Sequence, residues 1–314
     1  MNSLIDDIKS VIIGHAVGDA LGVPVEFHSR DEFKKNKITW MTGYGTYMKP
    51  EGTWSDDTSM TIATLDSLGP TIDYTDIMQR FVRWYTGAEY TADDHTFDIG
   101  GTTRRALDNY IQGRDYTKCG LSDYSSNGNG SLMRIATVVL YLEYGQQSDL
   151  SLGNKLNCIH AVSSLTHGHV ISQMACGIYA LVLWEILRKP EKESIYRGLK
   201  LAGDIYKDTP EIREFINILN YDISKSHIDC ILSDGYVVNT LESALYCVLT
   251  TDSYEECVLK AVNMGEDTDT TAAVAGSLAG ALYGYDSIPT DWIKTLKRSE
   301  YIVDICVRAA SRWK

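Results

Sequence analysis

Two short stretches combine carboxylates with hydroxyls. WSDDTSM (54–60) sets Asp56 beside Asp57, flanked by Ser55 and Thr58, and GEDTDTTAA (265–273) carries Asp267, Thr268, Asp269, Thr270 and Thr271. Each opens an apolar run with helical spacing. Adjacent carboxylates repel, so gathering them usually needs a cation. Carboxylates and hydroxyls without His or Cys form an all-oxygen donor set, which favours Mg²⁺ or Mn²⁺ over zinc. One Asp at such a place reads as a helix N-cap, because its oxygens accept the orphan amide hydrogens. Two in succession exceed what a cap needs. Asp267 and Asp269, two apart, face opposite sides of a regular helix. They converge only if both precede the helix, which is expected over 272–284.

Four further segments hold candidate groups. In GHAVGDALGVPVEF (14–27), Gly14, Gly18 and Gly22 recur every four residues and make a smooth helix face with Asp19 beside it. Pro24 ends that helix and leaves Glu26 in the loop beyond. SSNGNGSLMRIA (125–136) is a Gly/Asn-rich loop running into a helix expected near Ser131. Backbone amides in such a loop can cradle phosphate oxygens, although ordinary turns use the same residues. LTHGH (165–169) places His167 between two helices, where it could donate to a phosphate or ribose oxygen or serve structure alone. FDIGGTT (97–103) contains Asp98, following Asp93 and Asp94. Asp98 reads either as a partner for a planar cation or as the cap of a helix starting near Gly101. The run 267–271 also fits the Asp-x-Asp-x-Thr loop of haloacid-dehalogenase-like phosphatases, but that loop should follow an apolar strand, and KAVNMGE precedes it here.

Helical elements must position these groups. Leu4, Ile8, Val11, Ile12 and His15 share one helical face, with Ser3 as the expected N-cap. Similar periodicity recurs over 58–68, 75–86, 102–112, 131–144, 151–165, 169–188, 191–206, 239–250, 253–263, 268–282 and 300–312, with a capping box at Ser253 and Glu256. Residues 28–54 and 113–130 are expected as long loops. No alternating strand pattern, repeat or linker is visible, so the chain reads as one compact all-α domain over 1–314. The net charge of −13 argues against nucleic acid or an anionic membrane as partner. Seven scattered cysteines without a Cys-x-x-Cys pair suit a reducing cytosol, the expected compartment. CGIYALVLWEIL (176–187) is expected as a buried core helix too short to span a bilayer.

GDALGVPVE, WSDDTSM, FDIGGTT, SSNGNGSLMR, THGH and EDTDTTAA, in this order, resemble the ADP-ribosylglycohydrolase family. That resemblance implies an all-α orthogonal helical bundle and a hydrolase that removes ADP-ribose from protein side chains. It implies two Mg²⁺ ions, with Mn²⁺ as substitute, on Ser55, Asp56, Asp57, Asp267, Asp269 and Thr270. Family members often carry Thr where Ser55 stands, and the hydroxyl is kept. Glu26 matches an acidic residue near the metals, Asp57 is taken as the acceptor of the water proton, and Asp98 matches an acidic residue near the departing arginine. Gly128, Asn129, Gly130, Ser131 and Met133 match the loop that holds ADP-ribose, and His167 the histidine beside its diphosphate. An arginine linkage is expected. The alternatives are a serine-linked or O-acetyl conjugate, or a non-catalytic ADP-ribose-binding relative. The protein is expected to act as a monomer on an ADP-ribosylated protein.

Overall fold

The computed structural model describes residues 4–314, so Ser3, the expected cap of the first helix, lies outside the described residues. Among these residues the regular elements are helices, and the β-type pairing comprises two isolated bridges, Leu121 with His167 and Gly128 with Tyr236. The expected all-α class holds. No strand precedes 267–271 among the described residues, so the phosphatase alternative lacks its context.

The N-terminal half holds α1 (Leu4–Gly22), α2 (Arg30–Lys35), α3 (Asp56–Ser67), α4 (Tyr74–Gly87), α5 (Gly101–Ile111), α6 (Ala136–Tyr144) and α7 (Leu152–Ser164). There follow α8 (Val170–Arg188), α9 (Lys192–Tyr206), α10 (Ile216–Asn220), α11 (Val237–Leu249), α12 (Tyr254–Val262), α13 (Thr268–Tyr283), α14 (Thr290–Thr295) and α15 (Ser299–Arg312). Three short helices, α2, α10 and α14, were not anticipated. They have six, five and six residues, too few to display an apolar period. α6 starts at Ala136 rather than near Ser131, because 130–135 form turns. α13 starts at Thr268 rather than 272. Ser253 caps α12 by accepting from the Glu256 amide at 3.1 Å, but the Glu256 carboxylate accepts from the Asp252 amide instead of completing the box.

α1 and α13 form the axis of the fold, and each is wrapped by other helices: α1 by α15, α3 and α12, α13 by α12, α11 and α8. Beyond its first turn α1 is buried almost all round, so the single apolar face expected for it understates its burial. A helix apolar on every side belongs at the centre of a core. The stretch 176–187 lies in the C-terminal part of the 19-residue α8. By length and composition the whole of α8 and the segment Leu4–Val25 would suffice to cross a membrane, yet 78 % and 89 % of their apolar windows are buried inside the protein, so 176–187 belongs to a buried core helix as expected.

Glycine lets α1 and α13 touch backbone to backbone. A Cβ on Gly18 would stand 2.1 Å from the Ala272 carbonyl oxygen, and one on Gly276 2.3 Å from that of Gly14. No flexible side chain is available to yield at either place. Gly18→Ala is therefore expected to destabilise the protein by about 1–3 kcal/mol through overpacking. Gly203→Ala, in α9, meets nothing within 4 Å and should stabilise by about 0.5–1 kcal/mol. Urea unfolding of both variants checks this, and similar effects at the two positions would refute the packing account.

Candidate active site

The first acidic knot sits at the start of α3. Ser55 is the N-cap, its hydroxyl accepting from the Asp57 amide at 3.3 Å, so neither aspartate is needed as the cap. The chain enters α3 under the control of Asp19, which α1 delivers from below. The buried Asp19 carboxylate accepts from the Ser55 amide at 2.9 and 3.1 Å, the Thr58 amide at 3.0 Å and the Thr58 hydroxyl at 2.6 Å. Burial pushes Asp19 up to about 6, an effect restrained by the hydrogen bonds from Thr58 and Ser55. Sequence reasoning gave Asp19 no role. The available signal was a lone carboxylate inside an otherwise apolar helix.

The second knot opens α13. Asp267 occupies the N-cap position without making a cap bond, while Asp269 and Thr270 lie in the first turn. The expectation that both aspartates precede the helix is corrected: they converge across its N-terminus. A Cβ on Gly22 would lie 2.3 Å from Asp269 Cα, and the Thr268 hydroxyl donates to the Gly22 carbonyl at 2.8 Å. The end of α1 thus presses directly on the second knot. The two knots meet at Asp57, whose Oδ2 accepts from the Thr270 and Ser55 hydroxyls, each at 3.3 Å. Glu26, past the Pro24 turn, is 5 % exposed and is not a solvated loop residue. Carboxylate oxygens of Glu26, Asp267 and Asp269 all lie within 4.8 Å of one another.

Every carboxyl of this group is displaced upward. Burial, then Asp98 and Asp267, push Glu26 up to about 9. Burial first, then neighbouring carboxylates, hold Asp56, Asp57 and Asp269 well above the usual range, and burial raises Asp98 and Asp267. A cation supplied by the chain would have produced the opposite sign. Four buried oxygens, Glu26 Oε2, Asp57 Oδ1, Asp267 Oδ1 and Asp269 Oδ2, have no hydrogen-bond partner. Unpaired buried acceptors of like charge are costly. Such a set fits a hard divalent cation, whose ligands are oxygens.

The cluster forms one side of a cavity of about 270 Å³, with Glu26, Asp56, Asp57, Asp98, Asp267 and Thr270 in its wall. Gly128, Asn129, Gly130, Met133 and His167 line another part. Ser131 is not in this wall: it is fully buried, accepts from the Ser163 hydroxyl at 2.9 Å and lies 3.6 Å from Cys176 Sγ. Asn129 also differs from expectation. Its amide donates to the Gly235 carbonyl at 3.1 Å and its side chain to Asp267 Oδ2 at 2.8 Å and Thr240 at 2.9 Å. It braces the carboxylate cluster, and its amide is already engaged. Gly235 itself lines the cavity, and a Cβ there would sit 3.2 Å from Asp267 Oδ2. The turn containing Gly235 was missed by sequence reasoning; its Ser-Asp-Gly run (233–235) was the available signal.

Asp98 adopts a φ of 58° and accepts a hydrogen bond from Tyr47. The cap of α5 is Gly100, without a side-chain cap bond, so Asp98 is not the cap. Asp93 and Asp94 do not accompany it into the site: Lys49 pairs with Asp93 at 2.7 Å and Arg298 with Asp94 at 2.8 Å. A larger hollow of about 820 Å³ beside α9 and α10 gathers no unpartnered carboxylate oxygens.

The helical scaffold thus closes a carboxylate cluster against a Gly/Asn loop across one cavity. The family model for ADP-ribosylglycohydrolase matches residues 1–314, and the chain belongs to that family. It is 31 % identical to ADP-ribosylarginine hydrolase Tri1 of Serratia proteamaculans over 303 residues, 96 % of this chain and 78 % of that protein. The Tri1 of Pseudomonas putida is 34 % identical over 302 residues, covering 95 % and 76 %. The ADP-ribosyl-[dinitrogen reductase] glycohydrolase of Rhodospirillum rubrum is 31 % identical, covering 94 % and 91 %. A solved ADP-ribosylglycohydrolase-related protein complex superposes with a TM-score of 0.81 at 30 % identity over the whole of both chains.

Asp19→Ala would leave the Ser55 and Thr58 amides without their acceptor in a buried place. Stability measured by denaturant without divalent cations should fall by about 2–4 kcal/mol. A change below about 0.5 kcal/mol would show that Asp19 does not anchor the first knot.

Proposed function

We propose that this protein hydrolyses the bond between ADP-ribose and a modified protein side chain, with arginine as the favoured linkage. One observation carries the reading: four unpartnered buried carboxylate oxygens, drawn from both acidic knots and Glu26, belong to the group that faces a Gly/Asn loop across one cavity. The names of the Serratia, Pseudomonas and Rhodospirillum relatives support the substrate class. In this reading Ser55, Asp56, Asp57, Asp267, Asp269 and Thr270 hold two magnesium ions, replaceable by manganese. When bound, such ions would lower the pKa of a bound water.

The chain's own groups do the rest. Asp57 has one oxygen restrained by Ser55 and Thr270 and the other unpartnered. Its carboxylate takes the proton of the water that bonds to the anomeric carbon, and the proton passes to the departing side-chain nitrogen as the C–N bond breaks. Glu26 Oε2, also unpartnered, orients that water and is the alternative acceptor. The Gly128–Gly130 loop, Met133 and His167 hold the ADP-ribose. Asp98, with Tyr47 steadying its carboxylate, meets the guanidinium, since a carboxylate can engage that planar cation through two parallel hydrogen bonds. We further propose a cytoplasmic protein that acts as a monomer without nucleic acid or membrane.

Chelation with EDTA should abolish turnover and Mg²⁺ or Mn²⁺ should restore it, with a lower melting temperature in the metal-free state. Asp57→Asn and Asp269→Asn should each lower turnover by about a hundredfold or more while remaining folded. Full activity after rigorous chelation, or near-normal rates in both variants, would sink the two-metal assignment.

The linkage is decided by comparing ADP-ribose release from arginine-linked, serine-linked and O-acetyl conjugates at equal concentration. The arginine conjugate should be cleaved fastest, and Asp98→Ala should slow its cleavage far more than it weakens binding of free ADP-ribose. Faster release from serine would refute the arginine reading.

A further inference from the structure

Behind the cavity wall lies a chain of buried groups that the proposed reaction does not use. Arg134 is 0 % exposed, and its Nη2 donates to the Val162 carbonyl at 3.2 Å and to the Thr166 hydroxyl at 2.9 Å. Nε and Nη1 have no partner, and the guanidinium stacks on Phe81 with its carbon 4.8 Å from the ring centre. Thr166 is also 0 % exposed, and its hydroxyl lies 2.8 Å from His167 Nδ1. The segment is pinned at both sides: the Leu121 amide donates to the Thr166 carbonyl at 3.0 Å and the Gly168 amide to the Leu121 carbonyl at 2.8 Å. The other ring nitrogen, His167 Nε2, sits against the loop, 3.6 Å from where a Cβ on Gly128 would stand and 3.5 Å from one on Gly130.

These contacts have a direction. A guanidinium donates and cannot accept, so the Thr166 oxygen must be the acceptor of the Arg134 bond. The hydroxyl has a single proton, and His167 Nδ1 is the acceptor within reach. Were Nδ1 itself protonated, Thr166 would receive two donors and its own proton would be buried without a partner, at a cost of about 1–3 kcal/mol. Burial, then the Arg134 charge, push His167 down to about 3, which disfavours the imidazolium.

We propose that Arg134 and Thr166 are positioning residues that lock His167 as the neutral Nε2–H tautomer, so that the ring presents a hydrogen-bond donor to the cavity. The group it meets must then be an acceptor, as a diphosphate or ribose oxygen is. This rests on the ADP-ribose reading for the identity of the ligand but not for the tautomer, which belongs to the protein alone.

Long-range ¹H–¹⁵N spectra of histidine-labelled, ligand-free protein read the tautomer directly. The expected pattern is a pyrrole-type Nε2 and a pyridine-type Nδ1 for His167. Thr166→Val should shift the ring toward the Nδ1–H form, and Thr166→Ser, which keeps the hydroxyl, should restore the wild-type pattern. Titration with ADP-ribose should show binding weakened about tenfold in Thr166→Val and within about twofold of wild type in Thr166→Ser, the scale of one hydrogen bond. A protonated Nδ1 in the wild type would overturn the proposal, as would unchanged ADP-ribose affinity in a Thr166→Val protein whose tautomer has shifted. If Thr166→Val does not fold, the wild-type and Thr166→Ser spectra decide the tautomer. Failure of the wild type to bind ADP-ribose would defeat the ligand reading, while the spectra would still decide the relay.

Discussion

The fold depends on the side-chain-free contact between α1 and α13. Gly14, Gly18 and Gly22 on one helix meet Gly276, Ala272 and Asp269 on the other at distances that leave no room for a Cβ. Helices usually pack with their axes held apart by side chains. Here the backbones themselves are in contact, and that closeness serves the site as well as the core. The last of the three glycines abuts the residue whose carboxylate enters the acidic cluster. A helix kept further away would leave the Thr270 hydroxyl unable to reach Asp57.

Bringing the knots together gathers like charges in a dry place. Among the described residues no cation compensates them, and the neutral donors include the hydroxyls of Ser55, Thr270 and Tyr47, the Thr270 amide and the Asn129 side chain. The protein holds the arrangement through bonds made elsewhere. Asp19 fixes the entry to α3 with four short contacts, and Ser233 accepts the Asp267 amide at 3.0 Å. The unfavourable electrostatics of the cluster are thus offset by the packing and hydrogen bonding of the elements that carry it, a pattern common at functional sites.

The loop at 125–134 has two tasks. One is to form the cavity wall opposite the carboxylates; the other is to brace them, because the Asn129 side chain spans from Thr240 to Asp267. Ser131 and Arg134 anchor the loop from behind, the first against Ser163 and the second against Thr166 and Val162. Wall and cluster are therefore mechanically one unit, and a shift of the loop is felt at Asp267.

The residue types alone settled a good deal. Apolar period and the absence of strand alternation gave the all-α class, because amphipathic spacing is a local property of the chain. The two Asp/hydroxyl runs, Glu26, the Gly/Asn loop and His167 were legible for the same reason: their chemistry is written in consecutive residues. Tertiary structure decided what each does. Ser131 looks like a loop ligand and faces Cys176 and Ser163; Asn129 looks like a phosphate cradle and serves Asp267. Asp93 and Asp94, which appear to announce Asp98, are occupied by Lys49 and Arg298. Asp19, Tyr47, Gly235 and Thr166 gained their importance only from neighbours far away in the chain. Local sequence determines what a side chain can donate or accept, whereas its partner is chosen by long-range packing, and no local pattern encodes that choice.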